Sequence, residues 1–193
     1  MYDPRSKQLF DCTHAELVVE IIRRVGEDPK RAGLVETPAR VVNSWTELFG
    51  GYREDPKKFL KTFPADGFDE MIVVKDISYW STCEHHMLPF TGTAAVGYLP
   101  NGRIVGLSKI PRLVRCFSRR LQVQERMTME VALALQEAVG ARGVGCVVKG
   151  LHSCMACRGV RAEGAVTVTS YLTGVFRTDP AARSEFLKFA GEV

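Results

Sequence analysis

Three of the chain's four histidines and three of its six cysteines fall in two short windows, STCEHHMLPF at 81–90 and LHSCMACRG at 151–159. No other feature constrains the fold so strongly. A zinc ribbon keeps its two ligand pairs close in sequence. Here two stretches of helical periodicity separate them, so any shared site has to be assembled by the tertiary fold.

Cys83 and His86 stand at C-x-x-H spacing, which lets one tight turn aim a thiolate and an imidazole at a common point. Cys154 and Cys157 form a C-x-x-C. Taking all four gives a closed Cys₃His structural site; taking Cys83, His86 and Cys154 leaves the fourth position to water, the catalytic arrangement. If the strand through Val148 runs on to Cys154, His152 shares its face and stands beside the metal as acid or base. His85, next to a ligand, is the second candidate for proton transfer. A single histidine on a strand is ordinarily a satisfied structural residue; clustering with cysteines points instead to a site.

At 193 residues and 46% hydrophobic the chain can bury a real core, and one compact catalytic domain with a helical N-terminal region is expected, 1–65 before 66–193. The cysteines are scattered and unpaired in spacing, so reduced thiols or metal ligands are expected rather than disulfides, with Cys12, Cys116 and Cys146 as small buried hydrophobes. Arg112, Arg115, Arg119, Arg120 and Arg126 crowd one segment and suggest an anionic partner or a solvated helix face. Aromatics are not interleaved with them, so no nucleic acid is expected. No apolar run approaches the ~18 residues of a membrane span, and MYDPRSKQLF lacks an apolar secretory core, so the expected location is cytoplasmic, with no membrane partner.

THAELVVEIIRRVG opens with a Thr13–Glu16 capping box and carries Val18, Ile21, Ile22 and Val25 at helical spacing. TPARVVNSWTELFGG reads as a second helix, with Thr37 as cap, Pro38 in its first position and Gly50-Gly51 as stop. MIVVKDISYW, FTGTAAVGYLP and RIVGLS read as strands around a Pro100–Gly102 turn. Helical periodicity follows over 108–120 and 126–139, then strands in VGCVVKGLHSCM and AVTVTSYLTGVF, and a closing helix after Asp179-Pro180. The class is α+β, with four principal strands, amphipathic helices on one face and two sheet edges left for association.

GEDPKRAGLVETPARV, STCEHHMLPF, VGLSKIPRLV, RRLQVQERMT, HSCMACRGV and TSYLTGVFR occur in one order along almost the whole chain. In this set the sequence closely resembles the GTP cyclohydrolase I family, the entry to folate and tetrahydropterin synthesis. The resemblance implies a tunnelling fold built from ββααββ units, rings of subunits stacked into a homodecamer, and active sites at subunit boundaries. It implies Zn²⁺ on Cys83, His86 and Cys154, with a water activated towards a pKa of ~7, and proton transfer by His85 and His152. In the family water attacks C8 of the guanine of GTP, C8 leaves as formate, and the ribose rearranges and recloses to dihydroneopterin triphosphate, and the resemblance implies the same reaction here. Glu125, with Gln124 beside it, matches the anchor of the base; Ser108, Lys109, Arg112, Arg158 and Arg40 match triphosphate contacts, the first three at a helix start where backbone N–H groups also favour anions. Arg115, Arg119 and Arg120 are expected at the surface or between subunits.

Cys157 lies outside that pattern, either packing as a small apolar residue or competing as a ligand. Two other readings stand beside the main one. A structural-zinc module that binds polyanions through its arginines needs Cys157 as a fourth ligand. A tunnelling-fold relative acting on another purine or pterin would lack the combined CEHH, LSK and QVQER segments.

Overall fold

The computed structural model describes residues 12–191; the MYDPRSKQLF segment lies outside the described residues. The chain forms two compact units, one ending at Leu48 and the other starting at Phe49. In the first, α1 (His14–Arg24) opens with the expected capping box: the Glu16 N–H donates to Thr13 Oγ1 at 3.3 Å, and the Glu16 carboxylate accepts from Thr13 N at 2.7 Å. That backbone bond holds the Glu16 carboxyl below the usual carboxylate range. α2 (Thr37–Leu48) follows, with Pro38 buried in its first turn and Trp45 edge-on to the His14 ring. The apolar face of α1 is only half used within this unit: Val18 and Ile22 are buried, Ile21 and Val25 exposed.

The second unit starts with a 3₁₀ turn at Gly50–Arg53, α3 (Pro56–Phe59) and β1 (Thr62–Pro64). It continues through β2 (Ile72–Cys83), β3 (Pro89–Leu99), β4 (Arg103–Val105), α4 (Lys109–Ser118), β5 (Leu121–Gln122) and α5 (Gln124–Val139). β6 (Gly143–His152), a one-turn α6 (Ser153–Ala156), β7 (Val166–Leu172), α7 (Gly174–Thr178) and α8 (Pro180–Ala190) complete it. The main sheet has the order β5-β2-β3-β6-β7, antiparallel except where the two residues of β5 run parallel to the end of β2. The α+β class and the order of elements agree with the sequence periodicities.

Alternation along the strands divides the core. Tyr79, Phe90, Val96, Tyr98, Val144, Cys146 and Val148 face the apolar sides of α4 and α5, among them Ile110, Leu113, Met127, Val131 and Leu135. Ala95, Val147 and Leu172 face the other way, against Phe176 and Phe186. Helices therefore cover both faces, not one, and the reason is local. Gly97 and Gly145 are cross-strand partners, and together they leave a hollow in which the Phe186 ring sits; a Cβ on Gly145 would come 2.4 Å from Phe186 Cε1. Phe186 is fully buried and stacks on Phe176 at 5.2 Å. Gly145→Ala is expected to cost ~1–3 kcal/mol by overpacking, and Phe186→Ala roughly 3–5 kcal/mol by emptying the hollow. Urea unfolding with an unchanged slope reads both.

Two sequence expectations change here. Arg120 is half-buried and braced within its own chain, not simply a free surface group: it donates to Gly51 O at 3.0 Å and Cys116 O at 3.1 Å, with its guanidinium 4.7 Å from the Phe117 ring centre. Among the cysteines, Cys116 and Cys146 are buried as expected, whereas Cys12 is exposed. Among the described residues no helix is long and apolar enough to cross a membrane.

Candidate metal centre and its proton-transfer groups

The end of β2 delivers Cys83 to the floor of a tight turn. The Cys83 N–H donates to Leu88 O, the Met87 N–H donates to Cys83 O, both at 2.8 Å, and Met87 takes a left-handed φ of 54°. This closure swings His86 back over the strand, so that its Nδ1 lies 4.0 Å from Cys83 Sγ. Cys154 arrives from α6, just past the end of β6, two strands away from β2 in the same sheet, and the ligand atoms of Cys83, His86 and Cys154 all lie within 4.8 Å of one another. One tetrahedral zinc separates a sulfur and a nitrogen ligand by roughly 3.5 Å and two sulfurs by roughly 3.8 Å, so small side-chain adjustments close the site.

The route of Cys154 differs from the sequence expectation. β6 ends at His152, and Cys154 sits on the single turn of α6, so the two side chains do not alternate along one strand. The helical turn does what the strand was expected to do and brings the sulfur to Cys83. Cys157, at the C-terminal cap of that turn, is exposed and outside the cluster of ligand atoms. It neither packs as a small apolar residue nor joins the ligands, because the turn points it to solvent. The Cys154 thiol is pushed above its ordinary range, first by burial and then by the neighbouring Cys83, with the Arg158 cation pulling the other way. The Cys154 thiol holds its proton until a cation compensates the thiolate, which is the chemistry of a metal site.

A charged brace that the sequence did not announce fixes the turn. The Glu84 N–H donates to Gln122 O, and Arg126 forms an ion pair with the Glu84 carboxylate. The Arg126 Nε donates to Gln122 Oε1 at 3.0 Å, and Gln122 Nε2 donates to Glu130 at 2.7 Å and to Phe117 O at 3.0 Å. The Arg126 bond holds the Glu84 carboxyl below its usual range. His85, beside it, is exposed, its Nε2 3.9 Å from Glu84 Oε1. Ser81 precedes Cys83 by two residues on the same strand face, and its buried hydroxyl finds no protein partner.

His152 is half-buried. Its ring stacks on Phe90 with centroids 4.6 Å apart and planes 6° from parallel, and its Nε2 lies 2.9 Å from Gln124 Oε1. Burial lowers its pKa, while the carboxylate of exposed Glu125 acts in the opposite direction. One chain thus gathers Cys83, His86 and Cys154, and places Glu125 within electrostatic reach of His152. Gln124, expected on the substrate side, is 1% exposed, with its side-chain amide engaged inside the protein.

The expected triphosphate residues are more dispersed. Ser108 and Lys109 open α4, and exposed Arg112 lines an open basin of about 450 Å³ with Arg53, Lys58, Arg115 and Arg119 and the acidic Glu54 and Asp55. Ser108 makes no side-chain cap, but the Lys109 and Ile110 N–H groups already donate to Gly106 O and Leu107 O. Side chains, not those two N–H groups, are what this helix start offers an anion. Arg158 follows the metal turn and is exposed. Arg40 lies in the first unit and pairs with Glu36 one turn away.

Comparison with known proteins adds a consistent finding. The family model described as GTP cyclohydrolase I matches residues 14–191. GTP cyclohydrolase 1 of Chlorobaculum tepidum is 51% identical over 91% of this chain and 79% of its own length. GTP cyclohydrolase 1 of Pelagibacter ubique is 49% identical over 95% of this chain and 92% of its own, and that of Nitrosospira multiformis 51% over 88% and 90%.

Proposed function

The chain belongs to the GTP cyclohydrolase I family, and from that premise we propose that Cys83, His86 and Cys154 hold one zinc ion at the heart of its GTP-opening site. Its activity is that of the family: hydrolytic opening of the guanine imidazole ring of GTP at C8, release of formate, and reclosure to 7,8-dihydroneopterin triphosphate. The observation that carries the metal assignment is the convergence of three soft or borderline donors within 4.8 Å, drawn from two segments of the fold. With Cys157 outside the cluster, a three-ligand site is favoured over a closed structural one. When bound, zinc supplies the Lewis acidity that makes water nucleophilic at neutral pH.

His85 and His152 carry the protons that ring opening and sugar rearrangement require, one to the leaving nitrogen and others at the ribose carbons. The Glu125 carboxylate, an acceptor only, takes the N1–H and the 2-amino group of guanine. Ser108, Lys109, Arg112, Arg158 and Arg40 receive the triphosphate, arginine by forked donors and lysine as a point charge. The catalytic region proposed from the sequence, 66–193, holds all of these except Arg40.

The assembly proposed is a tunnelling-fold ring, doubled into a homodecamer with sites at subunit boundaries. Open edges support it. β7 has no outer partner among the described residues, β2 is paired on its outer side only at Thr82–Cys83, and Val166 and Val168 of β7 are half-exposed. Light scattering should give a large oligomer; a fully active monomer would overturn the ring. The cytoplasm is the proposed location, where thiols stay reduced.

Because Arg126 holds the turn through Glu84, Arg126→Met is expected to weaken zinc binding by roughly 10–100-fold, the usual effect of losing a ligand's outer support. Activity should recover at saturating zinc, which competition with a chromogenic chelator and an assay at graded zinc would read. The proposed function itself is tested by incubating the zinc-bound protein with GTP and measuring formate and the fluorescent oxidised pterin. Both must appear in equal amounts; formate without the pterin would mean that reclosure is not performed here.

A further inference from the structure

We infer that Gln124 is a positioning residue for His152, which it holds as the Nε2–H tautomer with Nδ1 as the ring's proton-accepting atom. The inference rests on the reading of His152 as a proton-transfer group, and it starts from the two ends of one buried amide. Gln124 Nε2 lies 3.0 Å from Val148 O, 3.0 Å from Thr167 O and 3.1 Å from Thr169 Oγ1. Backbone carbonyls only accept, so the amide nitrogen has to be on that side and Oε1 has to face His152. At 2.9 Å from a carbonyl oxygen, His152 Nε2 has to be the donor.

Packing leaves the pair no second arrangement. A Cβ on Gly150 would lie 2.3 Å from Gln124 Oε1 and 2.7 Å from Tyr79 Oη, so this glycine opens the space that the amide occupies in the sheet. On its flat side the imidazole rests on Phe90, itself 1% exposed. Turning the ring over would break the bond to Gln124, and moving the proton to Nδ1 would set two acceptors against each other. Nδ1 has no hydrogen-bond partner among the described residues, which leaves it for the reaction.

The bond to Gln124 and the stack on Phe90 fix the ring in one orientation, with Nδ1 turned away from the amide. Gln124 therefore acts through His152 and does not touch the substrate with its side chain, unlike the substrate contact expected from the sequence.

The direct test is ¹⁵N NMR of the zinc-bound, histidine-labelled protein, with His152 assigned by its loss in His152→Asn. A protonated Nε2 and an unprotonated Nδ1 in the neutral ring are expected; a proton on Nδ1, or exchange between the two tautomers, would overturn the inference. In Gln124→Met, zinc content and the KM for GTP should hold within about twofold while kcat falls by roughly 10²–10⁴-fold, the scale of losing a correctly presented histidine. A raised KM with kcat intact would make Gln124 a substrate ligand instead and sink the proposal. If this variant fails to fold, the parent spectrum decides alone. Failure of the parent protein to release formate would refute the site reading, whereas the spectrum would still report the tautomer.

Discussion

Replacing Cys83, His86 or Cys154 by alanine is expected to abolish stoichiometric zinc binding and to bring formate release from GTP to background, while Cys157→Ala is expected to keep both. The expected effect exceeds the ~10–100-fold that follows from disturbing a ligand's outer partner, because each substitution removes one of only three donors. The geometry makes the proposed set indivisible: Cys83 comes from the end of β2, His86 from the turn after it and Cys154 from α6, and the three donor atoms lie within 4.8 Å. Cys157, exposed at the end of α6, lies outside that cluster. Proton linkage gives the same site a pH signature. Cys154 holds its thiol proton above the ordinary range, so zinc must displace it, and zinc retention falls as pH falls. Metal analysis of the four variants, and of the parent between neutral and mildly acidic pH, checks both statements. Loss of zinc in Cys157→Ala with activity unaffected in Cys154→Ala would overturn the ligand assignment.

His85→Ala and His152→Ala are expected to keep their zinc and lose turnover by roughly 10²–10⁴-fold, the usual contribution of a positioned acid or base. The two should not be equivalent. His152 is clamped between Phe90 and Gln124, so its removal takes away a preorganised group; His85 is exposed and held only loosely by Glu84. A variant that accumulates the opened formamidopyrimidine places its histidine after ring opening. Parent-rate turnover by both variants would show that neither carries protons.

The class of the fold and the elements of the metal site were legible because they depend on local signals. The β-branched and aromatic run of MIVVKDISYW declares a strand, and the helical spacing of Ile110, Leu113, Val114 and Phe117 declares a buried face, without reference to the rest of the chain. Cys83 and His86 declare a turn. What stayed hidden depends on register between distant strands. Gly97 and Gly145 look like weak points of two strands, and only their pairing turns them into a seat for Phe186. Arg126 looks like one more charge on a crowded helix, and only the run of β5 beside β2 sets it opposite Glu84. Gln124 sits next to the expected base anchor, yet its side chain points into the sheet, because Gly150 has no side chain to keep it out. The His152-to-Cys154 step failed as strand geometry, since β6 stops one residue before α6 begins.

The most direct measurement of the central claim is a zinc titration of the metal-free chain, followed by formate released from GTP labelled at C8. The account predicts no release without metal and a linear rise that levels at one zinc per chain. Label should appear in formate and none in the pterin product. Full-rate release from metal-free protein, a plateau at some other zinc stoichiometry, or C8 retained in the product would contradict it.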